Sequence, residues 1–282
     1  MIRLAVRVAR EHSEQALAEL LVFSPAGVEE VEIDADTIEY VLYGAAGELP
    51  ALPALEASVG DFLVAVRTSE IADDWPERWR SFHKPVLVAE KLYVRPPWYE
   101  PPPAGDGLID IVIEPGQAFG TGSHATTRLC LELLVALARE GMARGPLLDI
   151  GCGSGVLAIA AAKLGFAPVL ALDNDPLGVE ATHANARANG VAIDAQLADL
   201  RVDALPPVAT IVANVLLVPL LELARRLDQR PQRLIASGLL VDQGDELAAE
   251  LARCQGLREA TRAHDGEWLA ILFVAAGPRV SS

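Results

Sequence analysis

Long apolar runs are missing from this 282-residue chain, and none reaches the roughly eighteen residues that cross a bilayer as a helix. No membrane association is therefore expected. Cysteine is scarce, at Cys130, Cys152 and Cys254. The number is odd and no two form a C-x-x-C pair, so neither a disulfide framework nor a metal site is indicated. A reducing cytoplasm is the expected compartment. Lysine is confined to Lys84, Lys91 and Lys163, and 23 basic side chains face 39 acidic ones, for a net charge of −16. Non-specific nucleic-acid binding requires cations against phosphates, so no direct nucleic-acid contact is expected. A basic protein partner would instead be attracted at long range. The opening Met1-Ile-Arg-Leu-Ala-Val-Arg-Val alternates like a strand and then turns charged, which is not the pattern of a signal peptide. No internal repeat is visible. What the chain has is apolar content of 51%, enough for one large domain or two modest ones.

The most informative segment is Leu147-Leu-Asp-Ile-Gly-Cys-Gly-Ser-Gly155. It reads as an apolar strand, a glycine turn and a helix starting near Val156. A second apolar run, 168–172, ends at Asp173, 22 residues after Gly151. This βαβ unit suits an adenosine-bearing cofactor: the glycines admit close backbone approach, and the acid can accept from both ribose hydroxyls. A dinucleotide fingerprint would be G-x-G-x-x-G. Here the spacing is D-x-G-x-G-x-G, from Asp149 through Gly151, Gly153 and Gly155. That pattern resembles motif I of the S-adenosylmethionine-dependent methyltransferases. This cofactor carries a cationic amine and sulfonium instead of a pyrophosphate, so an acid at position 149 suits it. Cys152 reads as a small filler.

The remaining periodicity divides the chain. Residues 1–70 give strand, helix, two strands, a helical patch and a strand, the ferredoxin-like βαββαβ plan. They are read as a substrate-recognition domain. Residues 71–105 are read as a connector, a helix carrying Trp75 and Trp79 followed by a proline-rich linker. Residues 106–282 alternate strands and helices, as in a doubly wound α/β sheet, and close with an antiparallel pair around Asp265-Gly266. Asp175-Pro176 reads as an N-cap and N1 proline.

Three further segments carry a family resemblance: Ile113-Glu-Pro-Gly-Gln-Ala-Phe-Gly-Thr-Gly-Ser-His-Ala-Thr-Thr-Arg128, Val212-Ala-Asn-Val215, and Ser237-Gly-Leu-Leu240 with Gly266-Glu-Trp268 downstream. With Trp75-x-x-x-Trp79, they resemble the ribosomal protein L11 methyltransferase family (PrmA type) over nearly the whole chain. The resemblance implies a class I methyltransferase fold, Rossmann-like, behind a smaller ferredoxin-like domain. It implies methyl transfer from S-adenosylmethionine to lysine side chains and the N-terminal amine of the basic ribosomal protein, by a cytoplasmic monomer. It carries cofactor binding onto Thr127, Gly151, Asp173 and Asn214, with Asp149 and Gly153 in the same turn. In this reading Thr127 extends from a glycine-opened loop, and Asn214 lies past the fourth strand, where its amide oxygen can accept from an incoming amine.

Asn214 is followed by Val-Leu-Leu, without the Pro-Pro-Tyr that would stack a planar amide or base. His124 is a candidate base or substrate-orienting group, and Asp199 a candidate partner for an adenine amine. Two alternatives share the cofactor: methylation of lysines in another protein, and a non-catalytic assembly role.

Overall fold

The computed structural model of the chain describes residues 2–13, 15–17, 20, 28–34, 36–44, 49–50, 63–70, 83–103, 105, 107–115, 122 and 124–275. It divides into two compact units, Met1–Phe82 and His83–Ser282. Trp75 and Trp79 lie outside the described residues. No described helix is long and apolar enough to cross a membrane.

The first unit is a four-stranded antiparallel sheet of β1 (Ile2–Ala9), β2 (Glu29–Glu32), β3 (Thr37–Gly44) and β4 (Leu63–Glu70), in the order β2-β3-β1-β4. That is the ferredoxin-like arrangement. Period-two alternation separates its faces. Leu4, Val6 and Val8 join Ile38, Tyr40 and Leu42 in a core shared with Ala16 and Leu20. On the other face Arg3 and Arg7 each approach the buried Glu39 carboxylate to 2.7 Å, and these two guanidiniums hold it below the usual carboxylate range against its burial. The second helix expected near residues 52–59 lies outside the described residues.

The second unit begins earlier than the sequence suggests. Residues expected in the 71–105 connector form β5 (Val86–Val88) and β6 (Leu92–Arg95), which pair with β7 (Ile109–Val112) in a three-stranded sheet. The reason is local pairing: β5 and β6 are a tight hairpin, and β6 then runs parallel to β7. Arg95 grips Asp110 through Nε and Nη2 at 2.7 and 2.8 Å. The proline-rich residues 96–103 are the excursion between two paired strands.

The main sheet has seven strands: β8 (Leu147–Ile150), β9 (Val169–Asp173), β10 (Asp194–Leu197), β11 (Thr210–Asn214), β12 (Arg233–Leu240), β13 (Leu257–Asp265) and β14 (Trp268–Ala275). Their order is β10-β9-β8-β11-β12-β14-β13; the first five are mutually parallel and β14 is antiparallel to both neighbours. Among the described residues five helices cover it: α1 (Ala125–Arg139), α2 (Val156–Leu164), α3 (Pro176–Ala188), α4 (Leu217–Arg226) and α5 (Gly244–Gln255). All four residues of β8 are buried, as a central parallel strand demands. Alternate side chains feed two cores: Leu147 and Val212 pack with α1 and α2, while Leu148, Ile211 and Leu234 pack with α4 and α5. The strand order reverses between β8 and β11, which places a ligand crevice beyond their carboxyl ends.

Candidate active site

The glycine turn after β8 is shaped by three left-handed residues, Gly151, Gly153 and Gly155, with φ of 72°, 50° and 79°. A side chain is excluded at two of them for separate reasons. A Cβ on Gly151 would lie 2.5 Å from Val215 Cγ1, and one on Gly155 would lie 2.8 Å from Thr182 Oγ1. Asp173, at the tip of β9, faces this turn. Its Oδ2 accepts from the Gly153 N–H at 2.7 Å and its Oδ1 from the Asp175 N–H at 3.0 Å. Gly178 of α3 makes room for that carboxylate, since a Cβ there would sit 2.7 Å from Oδ2. Asp175 caps α3 by accepting from the Leu177 N–H at 2.9 Å, and Pro176 follows at N1.

Asp149 stands differently from its expected place beside a cation. It is fully buried beneath the turn, where Oδ2 accepts from the Ala158 N–H in the first turn of α2 at 3.0 Å, and Oδ1 has no hydrogen-bond partner among the described residues. Burial, reinforced by the charge of Asp173, pushes its carboxyl up to about 7. The raised value favours the protonated folded state, so this group's stabilising contribution is full below 3.8 and is lost as pH rises through about 7. The melting temperature of Asp149→Asn should therefore rise relative to the wild type from about pH 4 to about pH 7 and level off above. A constant difference across that range would show that Asp149 titrates normally. Cys152 is buried beside it, its thiol pushed above the ordinary range by burial, and its sulfur accepts from Thr182 Oγ1 at 3.2 Å.

Asn214 ends β11 and its Nδ2 donates to Thr127 Oγ1 at 3.3 Å. Thr127 belongs to the first turn of α1 and is buried, instead of projecting from a loop. The glycine-rich segment ends one turn earlier than its sequence suggests, because His124 caps the helix. Its Nδ1 lies 2.8 Å from Thr126 Oγ1 and faces the Thr126 N–H. The imidazole also meets Trp268 edge-on, with ring centroids 5.0 Å apart. Desolvation, and then the nearby Arg128, hold its pKa below the usual value. Residues 116–121 and 123 lie outside the described residues.

Two residues escaped the sequence reading. Asn185 of α3 is buried; its Oδ1 accepts from the Glu114 N–H at 3.0 Å and its Nδ2 donates to the Ser154 carbonyl at 2.8 Å. Asn189, one turn on, pairs with both the N–H and the carbonyl of Val112 at 2.9 and 2.6 Å. Together they fasten β7 and the start of the glycine-rich segment to the turn. The i, i+4 spacing of two asparagines was the available signal.

A cavity of about 270 Å³ opens at the carboxyl ends of β8, β9 and β11, lined by Gly151, Asp173, Asp199, Leu200, Val215 and Val218 among others. Asp199 lines it but is engaged: hydrogen bonds from the Arg201 side chain and N–H, at 2.7 to 3.1 Å, hold its carboxyl at about 2. The residues fit an adenosine-bearing cation. Gly151 presents bare backbone to the cavity, Asp173 a carboxylate, and Leu172, Leu200 and Val218 an apolar wall for the adenine.

This strand order, with a glycine turn and an acid on the first two strands and an asparagine on the fourth, defines a class I methyltransferase fold. The model of the ribosomal protein L11 methyltransferase (PrmA) family matches residues 5–276, and the chain belongs to that family. It is 36% identical over 299 residues to the ribosomal protein L11 methyltransferase of Burkholderia vietnamiensis, covering 95% of this chain and 96% of that protein. It is 38% identical over 209 residues to that of Pelobacter propionicus, covering 72% and 67%. The crystal structure of a ribosomal protein L11 methylase from Lactobacillus delbrueckii subsp. bulgaricus superposes with a TM-score of 0.61 at 28% identity, covering 70% of this chain and 100% of that one. The protein is a methyltransferase.

Proposed function

We propose that this methyltransferase transfers methyl groups from S-adenosylmethionine to lysine side chains and the N-terminal amine of ribosomal protein L11, as a cytoplasmic monomer. The observation that carries the reading is the meeting of Asn214 and Thr127 beside the glycine turn and Asp173, in a chain of this family. S-adenosylmethionine, when bound, supplies a methyl group already activated on sulfonium, so the protein's task is largely placement. Gly151 and Gly153 lend backbone to the cofactor and Asp173 accepts from its ribose. Asp149 supports the turn from below and contributes negative charge when ionised.

Asn214 donates through Nδ2 to Thr127, which turns its Oδ1 toward acceptance. An amide oxygen so held can take an N–H from a neutral amine and leave the nitrogen lone pair free for in-line attack. The amine must shed its proton first, and desolvation at the sheet edge lowers a lysine's pKa. His124, kept neutral by burial, frames this edge without repelling a cationic side chain. The acidic chain draws a basic substrate. Calorimetric titration with S-adenosylhomocysteine and NAD tests the cofactor, and tritium transfer onto unmethylated L11 tests the acceptor. NAD preference, or label that never reaches L11, would overturn the respective half.

The ferredoxin-like unit is assigned to substrate recognition. A chain beginning at His83 should bind S-adenosylhomocysteine like the full protein yet methylate L11 with kcat/KM about a hundredfold lower, since remote contacts no longer position the amine. The cut must precede β5; a start at Asp106 removes β6, the partner of β7, together with β5, the partner of β6. Full turnover by the His83 chain would remove the recognition role.

A further inference from the structure

Ser237-Gly-Leu-Leu240 is assigned to neither cofactor nor acceptor, yet Gly238 is tightly constrained. Its φ is +84°, and it sits where the pairing of β12 with β14 shifts register between Ser237 and Leu239. A Cβ there would lie 2.5 Å from the Val215 carbonyl oxygen, 2.8 Å from its carbon and 3.0 Å from its nitrogen. These are backbone atoms, which cannot swing aside as a side-chain tip can. Val215 follows Asn214 directly, and its N–H donates to the Ser237 carbonyl at 3.1 Å. Ser237 is in turn anchored by its hydroxyl to the Leu269 carbonyl at 2.8 Å.

On its opposite side, Val215 meets the glycine turn, with Cγ1 in the space that a Gly151 Cβ would take. The sheet order gives this a direction. β11 lies between β8 and β12, so Val215 stands between Gly151 beyond one neighbour and Gly238 within the other. A push from Gly238 drives the Val215 peptide toward Gly151, and the isopropyl group transmits it to the turn.

We propose that Val215, wedged between Gly238 and Gly151, is a positioning residue that fixes the spacing between the acceptor asparagine and the cofactor turn, with Gly238 as its backstop. The inference rests on the assignment of Asn214 to the acceptor and of the glycine turn to the cofactor. It makes the spacing of two half-sites a property of one small side chain and two missing ones.

The test is a pair of substitutions read by S-adenosylhomocysteine calorimetry and by single-turnover methyl transfer on the full chain. Gly238→Ala should weaken S-adenosylhomocysteine binding about tenfold and slow methyl transfer about a hundredfold, the scale of a misplacement near 1 Å. Adding Val215→Ala should bring binding back to within about threefold of the wild type, because the displaced peptide then has room, while transfer stays slow. A fault of stability alone would deepen on removing two more methyl groups, so recovery of binding separates positioning from damage. Val215→Leu, in the otherwise native chain, lengthens the wedge toward Gly151 and should weaken binding about tenfold even where Gly238→Ala yields no folded protein. Native binding by Val215→Leu, or no recovery in the double variant, would overturn the proposal. Lack of methyl transfer by the wild type would instead count against the proposed function, and the binding series would still decide the wedge.

Discussion

Asp173→Ala should lower S-adenosylhomocysteine affinity by about a hundredfold or more while the chain stays folded. Two charge-assisted hydrogen bonds to a ribose diol are worth roughly 1.5–3 kcal/mol each before non-additivity, and each 1.4 kcal/mol is about tenfold in affinity. The structure adds a second loss. The same carboxylate accepts from the Gly153 and Asp175 N–H groups at 2.7 and 3.0 Å, so its removal also loosens the turn. Asp173→Asn separates the two effects, because one amide oxygen can still accept from Gly153 while the charge is gone; its affinity should fall between those of wild type and alanine. A loss below about tenfold in the alanine variant would remove Asp173 from the ribose.

Asn214→Ala is expected to act on the other half of the site. Methyl transfer should slow by about a hundredfold or more, the usual consequence of losing one preorganised hydrogen-bonding group at a reacting centre. Cofactor affinity should change much less than the rate. Thr127→Ala should follow in the same direction with a smaller effect, since its hydroxyl acts on the amine through the Asn214 amide, which it holds at 3.3 Å. Single-turnover rates and S-adenosylhomocysteine calorimetry on the same preparations check both statements. Equal losses in rate and in affinity would make Asn214 a cofactor ligand and leave the amine without its acceptor group.

The parts of this site that could be read from sequence are those fixed by short-range patterning. The β8 turn, the acid on β9 and the Asp175-Pro176 cap each lie within a few residues of the strand or helix that positions them. The strand positions of the first unit were likewise carried by period-two alternation in β1 and β3. What escaped depends on partners far along the chain. Thr127 looked like a loop residue because the partner of its hydroxyl, Asn214, lies 87 residues away. Asp149 looked like a ligand-facing acid, yet the strand carrying it is covered on both faces, so its side chain turns down toward Ala158. β5 and β6 hid among prolines, since strands of three and four residues leave almost no periodic signal. Asn185 gave no sign of its burial, because its partners, Glu114 and Ser154, lie 71 and 31 residues away. Gly178 and Gly238 gave no signal because their work is to leave space for side chain or backbone brought up by tertiary packing.

The acceptor chemistry is the centre of this account, and peptide mapping by mass spectrometry measures it most directly. Unmethylated ribosomal protein L11 is incubated with the full chain and S-adenosylmethionine, digested, and its methyl groups are located. They are expected on lysine Nζ atoms and on the N-terminal amine, and are expected to be absent at equal times with Asn214→Ala. Methyl groups on glutamine or carboxylate side chains, or on RNA with L11 untouched, would contradict it.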